Sequence, residues 1–301
     1  MQDDAFRADS REVVSGATRL HVETIDVPGG VPLVLLHGFP ESSRAWDALA
    51  PRIAGLGYRV LAPDMRGYGR SDAPAGVGQY RLEALAEDVL AIMAAAGAER
   101  ATLVGHDWGG IVAWAVAAWH PERVARLVVL NAPHLDVFGA VARRHPSQYV
   151  RSAYVGLFQL PALPERLLAA RNFALLRRML TGSARAGTFS RARLDAYAED
   201  WARPGRLSGM LGYYRALMRH GSRPLGRVRP PVTIVWGRDD AALSFPLAEA
   251  SLAQCDNGRL ETLDASHWVH LEEPDAVLAA IGPAQPDGGP RAIPGAAIPR
   301  G

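Results

Sequence analysis

The sequence predicts an α/β protein: a mostly parallel sheet covered by helices on both faces, with a helical unit inserted between two of its strands. Three observations predict it. Short apolar runs recur along the chain, and helical patterns separate them. One long stretch, residues 136–229, breaks this rhythm with Leu/Ala/Arg-rich helical periodicity and no convincing strand.

Residues 19–24 alternate polar and apolar side chains, as a half-buried edge strand does. Residues 32–36, 59–61, 101–104, 124–130, 232–236 and 259–263 supply further strands, mostly runs of Val, Ile and Leu. Such runs suit strands buried on both faces of a parallel sheet. Helical patterns lie between them at 43–56, 81–96, 109–119, 246–253 and 275–281. The chain thus divides into a core of residues 1–135 and 230–282, a helical cap of residues 136–229, and a Pro/Gly-rich flexible tail at 283–301.

Composition narrows the function. With 301 residues and 49% hydrophobic content, the chain can bury a large core. A net charge of +2 with 21% charged residues excludes a disordered or strongly nucleic-acid-binding protein. The single Cys255 excludes an internal disulfide framework and thiolate metal clusters. No apolar stretch approaches the roughly 18 residues of a membrane span, and the polar N-terminus has no apolar signal core, so a cytoplasmic location is expected. Charge is unevenly spread: residues 136–230 hold 17 Arg and five acids, leaving 16 Arg and 26 acids elsewhere. The insertion therefore has its own surface. Its arginines are read as solvated helix faces.

The stretch Gly105-His106-Asp107-Trp108-Gly109 follows the 101–104 strand and opens the next helix. It has the frame of the G-x-S-x-G nucleophile elbow, with Asp in place of Ser. Flanking glycines allow the close strand–helix approach of that turn, which lifts residue 107 above the C-terminal edge of the sheet. A carboxylate is ionised near neutral pH and can displace a leaving group from sp3 carbon, giving an alkyl-enzyme ester. Water must then hydrolyse that ester, which needs a general base and an oxyanion hole. The motif alone serves equally well for an Asp that caps the following helix.

The rest of the machinery follows in order. His267, in Ser266-His267-Trp268, is the candidate base after the last strand. Asp239 and Asp240 are two candidate acids after the 232–236 strand; the order nucleophile, acid, base is that of a Ser-type elbow enzyme. The backbone N–H groups of Trp108 and of Phe39, in His37-Gly38-Phe39-Pro40, are placed as oxyanion donors, and Pro40 stiffens the loop. His37 and His106 are read as structural, satisfied by backbone groups. His270 is expected to point away from His267.

His37-Gly-Phe-Pro-Glu41, Asp64-Met-Arg-Gly-Tyr-Gly-Arg-Ser-Asp72, Gly105-His-Asp-Trp-Gly-Gly110, Leu130-Asn-Ala-Pro133 and Ser266-His-Trp268 together resemble the epoxide hydrolases of the α/β-hydrolase superfamily. The resemblance covers roughly residues 20–282, and its elbow and HGFP loop are specific in combination. It implies an α/β-hydrolase fold with Asp107 as nucleophile, His267 as base and Asp240, four residues after Trp236, as acid. It also implies two cap tyrosines: Tyr154, ahead of Phe158-Gln-Leu-Pro161, and Tyr214, ahead of Arg215. Opening an epoxide generates an alkoxide, a poor leaving group unless hydrogen-bonded or protonated, so two phenols have a chemical reason to be there. Tyr149, Tyr197 and Tyr213 are read as packing or surface. The implied substrate is a small-molecule epoxide with water, and the implied product a vicinal diol; no cofactor, metal or nucleic acid is implied, and a homodimer is compatible.

Two rivals stand beside this reading. Haloalkane dehalogenases place a second halide-binding side chain after His-Gly, where Phe39 has no donor; fluoroacetate dehalogenases carry Arg where Trp108 and Ile111 stand here. A non-catalytic binding protein on the same scaffold has no need of an intact nucleophile, acid and base.

Overall fold

A computed structural model describes residues 9–285. Eight strands run through it: β1 (Asp9–Ser15), β2 (Thr18–Ile25), β3 (Val31–Leu36), β4 (Tyr58–Pro63), β5 (Ala101–His106), β6 (Val124–Leu130), β7 (Val232–Gly237) and β8 (Gly258–Leu263). They form one sheet in the order β1-β2-β4-β3-β5-β6-β7-β8. β1 and β2 are antiparallel, as are β2 and β4; all other pairs are parallel.

The central strands are apolar throughout because both of their faces are covered. In β3, Leu33 and Leu35 pack with Trp46 and Ile53 on one side, while Val34 and Leu36 pack with Leu85, Val89 and Trp114 on the other. Helices supply those covers. A 3-10 turn (Ser43–Trp46) and α1 (Ala50–Ala54) join β3 to β4; α2 (Leu82–Ala95) and α3 (Trp108–Trp119) precede and follow β5. Between β6 and β7 lie α4 (Leu135–Arg144), α5 (Ser147–Arg151), α6 (Ala153–Phe158), α7 (Leu163–Gly182), α8 (Arg191–Trp201) and α9 (Arg206–His220). α10 (Pro246–Leu252) joins β7 to β8, and α11 (Val269–Glu272) and α12 (Pro274–Ile281) follow β8. Among the described residues no helix is long and apolar enough to cross a membrane.

Three expectations need correction. The edge strand is β1, outside the strand read at 19–24; its sequence DSREVVS buries only Val13 and Ser15, so its apolar signal is too thin to read. The helix expected at 43–56 is a 3-10 turn and a separate short helix, with Pro51 at the start of the latter. Residues 283 and 284, expected in the tail, are bonded to the core: the Ala284 N–H donates to Leu56 O (2.9 Å) and the Tyr58 O–H to Pro283 O (3.3 Å). The remainder of that tail lies outside the described residues.

Candidate active site

The turn between β5 and α3 places Asp107 at φ 50° and ψ −120°, a conformation rarely populated outside glycine. Close backbone packing enforces it. A Cβ on Gly105 would come within 2.5 Å of Gly109 O, and one on Gly38 would come within 2.5 Å of Asp107 Cβ. The Asp107 side chain makes no capping hydrogen bond to α3. Its Oδ1 instead accepts the Phe39 N–H (2.9 Å), and its Oδ2 lies 3.6 Å from His267 Nε2. That disposes of the helix-capping alternative. Trp108 opens α3, where backbone N–H groups lack intrahelical partners.

His267 stands in the loop between β8 and α11, and its Nδ1 is 2.8 Å from Asp240 Oδ2. The acid beside it is thus Asp240, buried, while Asp239 is exposed. Asp240 Oδ1 accepts the N–H groups of Ala242 (2.7 Å) and Leu243 (2.9 Å), and Oδ2 also accepts Asn131 Nδ2 (2.6 Å). Burial pushes the Asp240 carboxyl up, but the His267 charge and these donors outweigh it and hold the group below its ordinary range. For Asp107, burial likewise opposes ionisation, and the nearby His267 side chain and its charge, then His106 and the Phe39 N–H, bring it down. Burial depresses His267, but Asp240 and Asp107 raise it to about 10. The two carboxylates flanking His267 thus favour the protonated form of its ring.

Tyr154 on α6 and Tyr214 on α9 face each other edge-on, with ring centroids 6.0 Å apart and Phe158 packed against both. Tyr214 also packs edge-on against Phe39 (5.4 Å) and Trp108 (5.1 Å), the residues that flank the Asp107 carboxylate. Burial raises both phenols well above their usual value, and the Asp107 charge adds to it, so both keep their protons as donors. The structure thus brings all seven sequence-read positions, Phe39, Asp107, Trp108, Tyr154, Tyr214, Asp240 and His267, to one place at the C-terminal edge of the sheet. A separate cavity of about 120 Å³ lies at the opposite strand ends, beside Tyr58, Asn257 and Arg259. It has no nucleophile–base pair.

Some participants were not read from the sequence. Asn131, at φ 44° just past β6, accepts the Gly237 N–H and donates to Asp240. The usable signal was an Asn directly after a strand, a residue type that tolerates this left-handed conformation. His37 is satisfied by backbone, as expected: Nδ1 is 3.0 Å from Gly38 O, and Nε2 accepts the Met65 N–H. His106 is so only in part: its Nε2 faces the backbone oxygen of His267 (3.0 Å), but its Nδ1 faces the Glu41 side chain at Oε2 (3.1 Å). His270 points away from His267, as expected: it contacts Glu41 (3.2 Å), with its ring 4.2 Å from that of His106. Tyr197 is more than packing, since its O–H donates to Glu41 Oε1 (3.0 Å). Tyr213 is buried and donates to Arg66 O, whereas Tyr149 is exposed. Glu41, His106 and His270 form the kind of ligand group the sequence did not reveal, their ligating atoms within 4.8 Å of one another. Those atoms are already engaged with each other in hydrogen bonds.

A sharp elbow at the edge of a doubly covered parallel sheet, with its acid and base on the following strand ends, defines a hydrolase scaffold. The profile of the α/β-hydrolase fold family matches residues 31–274, and the chain belongs to that family. It is 39% identical to the AB hydrolase superfamily protein YfhM of Bacillus subtilis (strain 168), covering 87% of this chain and 92% of that one. It is 36% identical to epoxide hydrolase 4 of Mus musculus, covering 87% of this chain and 75% of that one. An epoxide hydrolase of Bacillus megaterium, solved in complex with an inhibitor, superposes with a TM-score of 0.78 at 26% identity, covering 89% and 96% of the two chains. Within the superfamily the chain thus falls in the epoxide hydrolase group of cofactor-independent hydrolases.

Proposed function

We propose that this protein hydrolyses small-molecule epoxides to vicinal diols through an ester on Asp107. The observation that carries the reading is the Asp107 carboxylate itself, fixed by the Phe39 N–H and facing His267, with Tyr214 packed on the flanking Phe39 and Trp108 and Tyr154 edge-on against Tyr214. Residues 136–229 act as a cap whose contribution to the chemistry is Tyr154 and Tyr214.

In the first step Asp107 Oδ2 attacks a ring carbon, the C–O bond breaks, and the oxygen takes a proton from Tyr154 or Tyr214. Esterification removes the Asp107 charge that helped hold a proton on His267. The new phenolate then takes that proton, leaving His267 as a free base. In the second step His267 removes a proton from water and the hydroxide attacks the ester carbonyl. The negative charge develops on the oxygen already bonded to the Phe39 N–H, with Trp108 N–H as second donor. Collapse expels the diol oxygen, which His267 protonates; the Asp107 carboxyl then returns its proton to His267. The resting ion pair is restored, and the balance is one epoxide and one water to one diol.

The test is a single turnover in heavy-oxygen water. The label is expected in the Asp107 carboxylate and not in the diol, because water attacks the ester carbonyl. Label entering the diol directly would mean water opens the ring, and the covalent reading would fall.

A further inference from the structure

The insertion carries a surface that the chemistry above does not use. Nine large apolar side chains are exposed among the described residues, and seven of them fall between Tyr149 and Leu175. Scattered singly, such residues mean little; gathered together, they mark a contact surface. Along α6 and α7 they are contiguous. Leu157 stands on α6 beside the buried Phe158, and Leu160 follows in the turn to α7. α7 buries Pro164 and Leu168 and turns Leu163, Arg166 and Leu167 outward, with the two leucines four residues apart on one face. From α9, Arg215 donates to Phe158 O and Leu160 O (2.8 Å each) and Arg219 to Gln159 O (2.9 Å), which sets the exposed Met218 beside the same turn.

The charge around these side chains has one sign. Residues 137–182 contain seven Arg and a single acid, Glu165. Arg215 neutralises that acid by donating to both of its oxygens (2.6 and 3.0 Å). Of the seven, Arg177 pairs with Asp195 and Arg151 donates to Asp240 O. The other five, Arg143, Arg144, Arg166, Arg171 and Arg178, are exposed and form no ion pair among the described residues. A second copy of this chain fits such a face poorly, because a two-fold contact sets the arginines against themselves. Nucleic acid would engage the arginines and leave the leucines idle. An anionic bilayer engages both: leucines enter the acyl boundary while guanidinium groups stay at the phosphates on their long stems.

We infer that the α6–α7 face of the insertion docks on anionic lipid bilayers. The contact is peripheral, since no described helix is long and apolar enough to span one. Leu157 adjoins Phe158, whose ring packs on both phenols, so the docked face backs the phenol side of the site. Docking thereby brings the enzyme to the phase in which apolar epoxides dissolve. That use rests on the function proposed above, whereas the docking itself needs no catalysis.

The test is co-sedimentation of the full chain with phosphatidylcholine vesicles, with and without phosphatidylserine. The wild type is expected to partition onto the phosphatidylserine vesicles roughly 10-fold or more above pure phosphatidylcholine, and to be released as salt rises. Leu160→Ser with Leu167→Ser, and separately Arg166→Gln with Arg171→Asn, should each weaken that partitioning by on the order of 10-fold. All four side chains are exposed, and Asn accepts the left-handed backbone of residue 171 (φ 51°), so both variants should fold and turn over a water-soluble epoxide at the wild-type rate. Should a variant not fold, hydrogen exchange of the wild type decides: phosphatidylserine vesicles should slow backbone exchange within residues 157–171, and protection confined to another region refutes the face. No binding, equal binding to both kinds of vesicle, or variants that bind like the wild type would each overturn the inference. So would leucine-dependent self-association, or binding of duplex DNA, in a protein that ignores the vesicles. Failure of the ester mechanism is recognised separately, by label entering the diol, which none of these measurements reads.

Discussion

The strand-end loops and the helical insertion hold their parts of the site in different ways. Asp107, Asp240 and His267 sit on turns after β5, β7 and β8, and directed bonds fix each one. Asp240 alone receives four donors, and Asp107 is pinned by a turn that excludes a side chain on Gly105. Tyr154 and Tyr214 are held by a stack of edge-on rings through Phe158, Phe39 and Trp108. The surfaces differ as well: of the large apolar side chains exposed among the described residues, all but Val14 lie in the insertion. Directed bonds fix atoms to fractions of an ångström, which a base and an oxyanion donor require. Ring packing tolerates changes of shape, which suits the side of a site that selects among substrates. The contrast teaches that ester hydrolysis should depend on the core alone, and ring opening on both parts.

The sharpest way to break that contrast is to remove the base. His267→Gln leaves Asp107 and both phenols in place, so alkylation should proceed while hydrolysis falls by at least 100-fold, within the range expected for loss of a general base. Intact-protein mass should then show an adduct of one substrate per chain that persists for many wild-type turnover times. A variant that binds a good substrate and forms no adduct would show that the two steps are not divided between core and insertion as argued.

The second effect comes from the insertion. Tyr154→Phe and Tyr214→Phe should each slow alkylation by roughly 10- to 1000-fold, the cost of losing a positioned acid. The double variant should be nearly inactive, yet any ester it does form should be hydrolysed at the wild-type rate. Equal damage to both steps would mean that the phenols also hold the core loops, and the division of labour would be blurred.

What could be read from the sequence follows the same line. The central strands announce themselves because two covered faces demand unbroken apolar runs, and the elbow because its turn needs glycine on both sides of residue 107. β1 did not, since DSREVVS buries too little to leave a pattern. The phenols were placed by resemblance: nothing in the periodicity of α6 or α9 marks Tyr154 and Tyr214 apart from Tyr149 or Tyr213. The Glu41–His106–His270 group was invisible for a different reason. Its members are separated by 65 and 229 residues along the chain, and only the closed fold brings them together. Asn131 stood in a quoted motif, but its two bonds to the acid loop depend on a backbone angle that residue type merely permits.

The smallest expected effect tests whether the insertion's charge reaches the substrate. Residues 136–230 carry 17 Arg against five acids, and several of these arginines are neutralised where they stand. Arg215 pairs with Glu165, Arg177 with Asp195, Arg185 with Glu273 of the core and Arg227 with Asp256. Arg151, by contrast, reaches the site itself and donates to the backbone oxygen of Asp240 (2.7 Å). The local pairs leave a net positive insertion above an anionic nucleophile. Such a field raises the capture rate of anions and fades as salt shortens its reach to about 3 Å at 1 M. An epoxide bearing a carboxylate should therefore show a kcat/KM a few-fold above that of its methyl ester at low ionic strength, with the ratio approaching one as salt rises. The steering should be modest because the exposed pairs are already partly screened. A ratio of one at every ionic strength would mean that the arginines serve only the insertion's own surface and its contacts with the core.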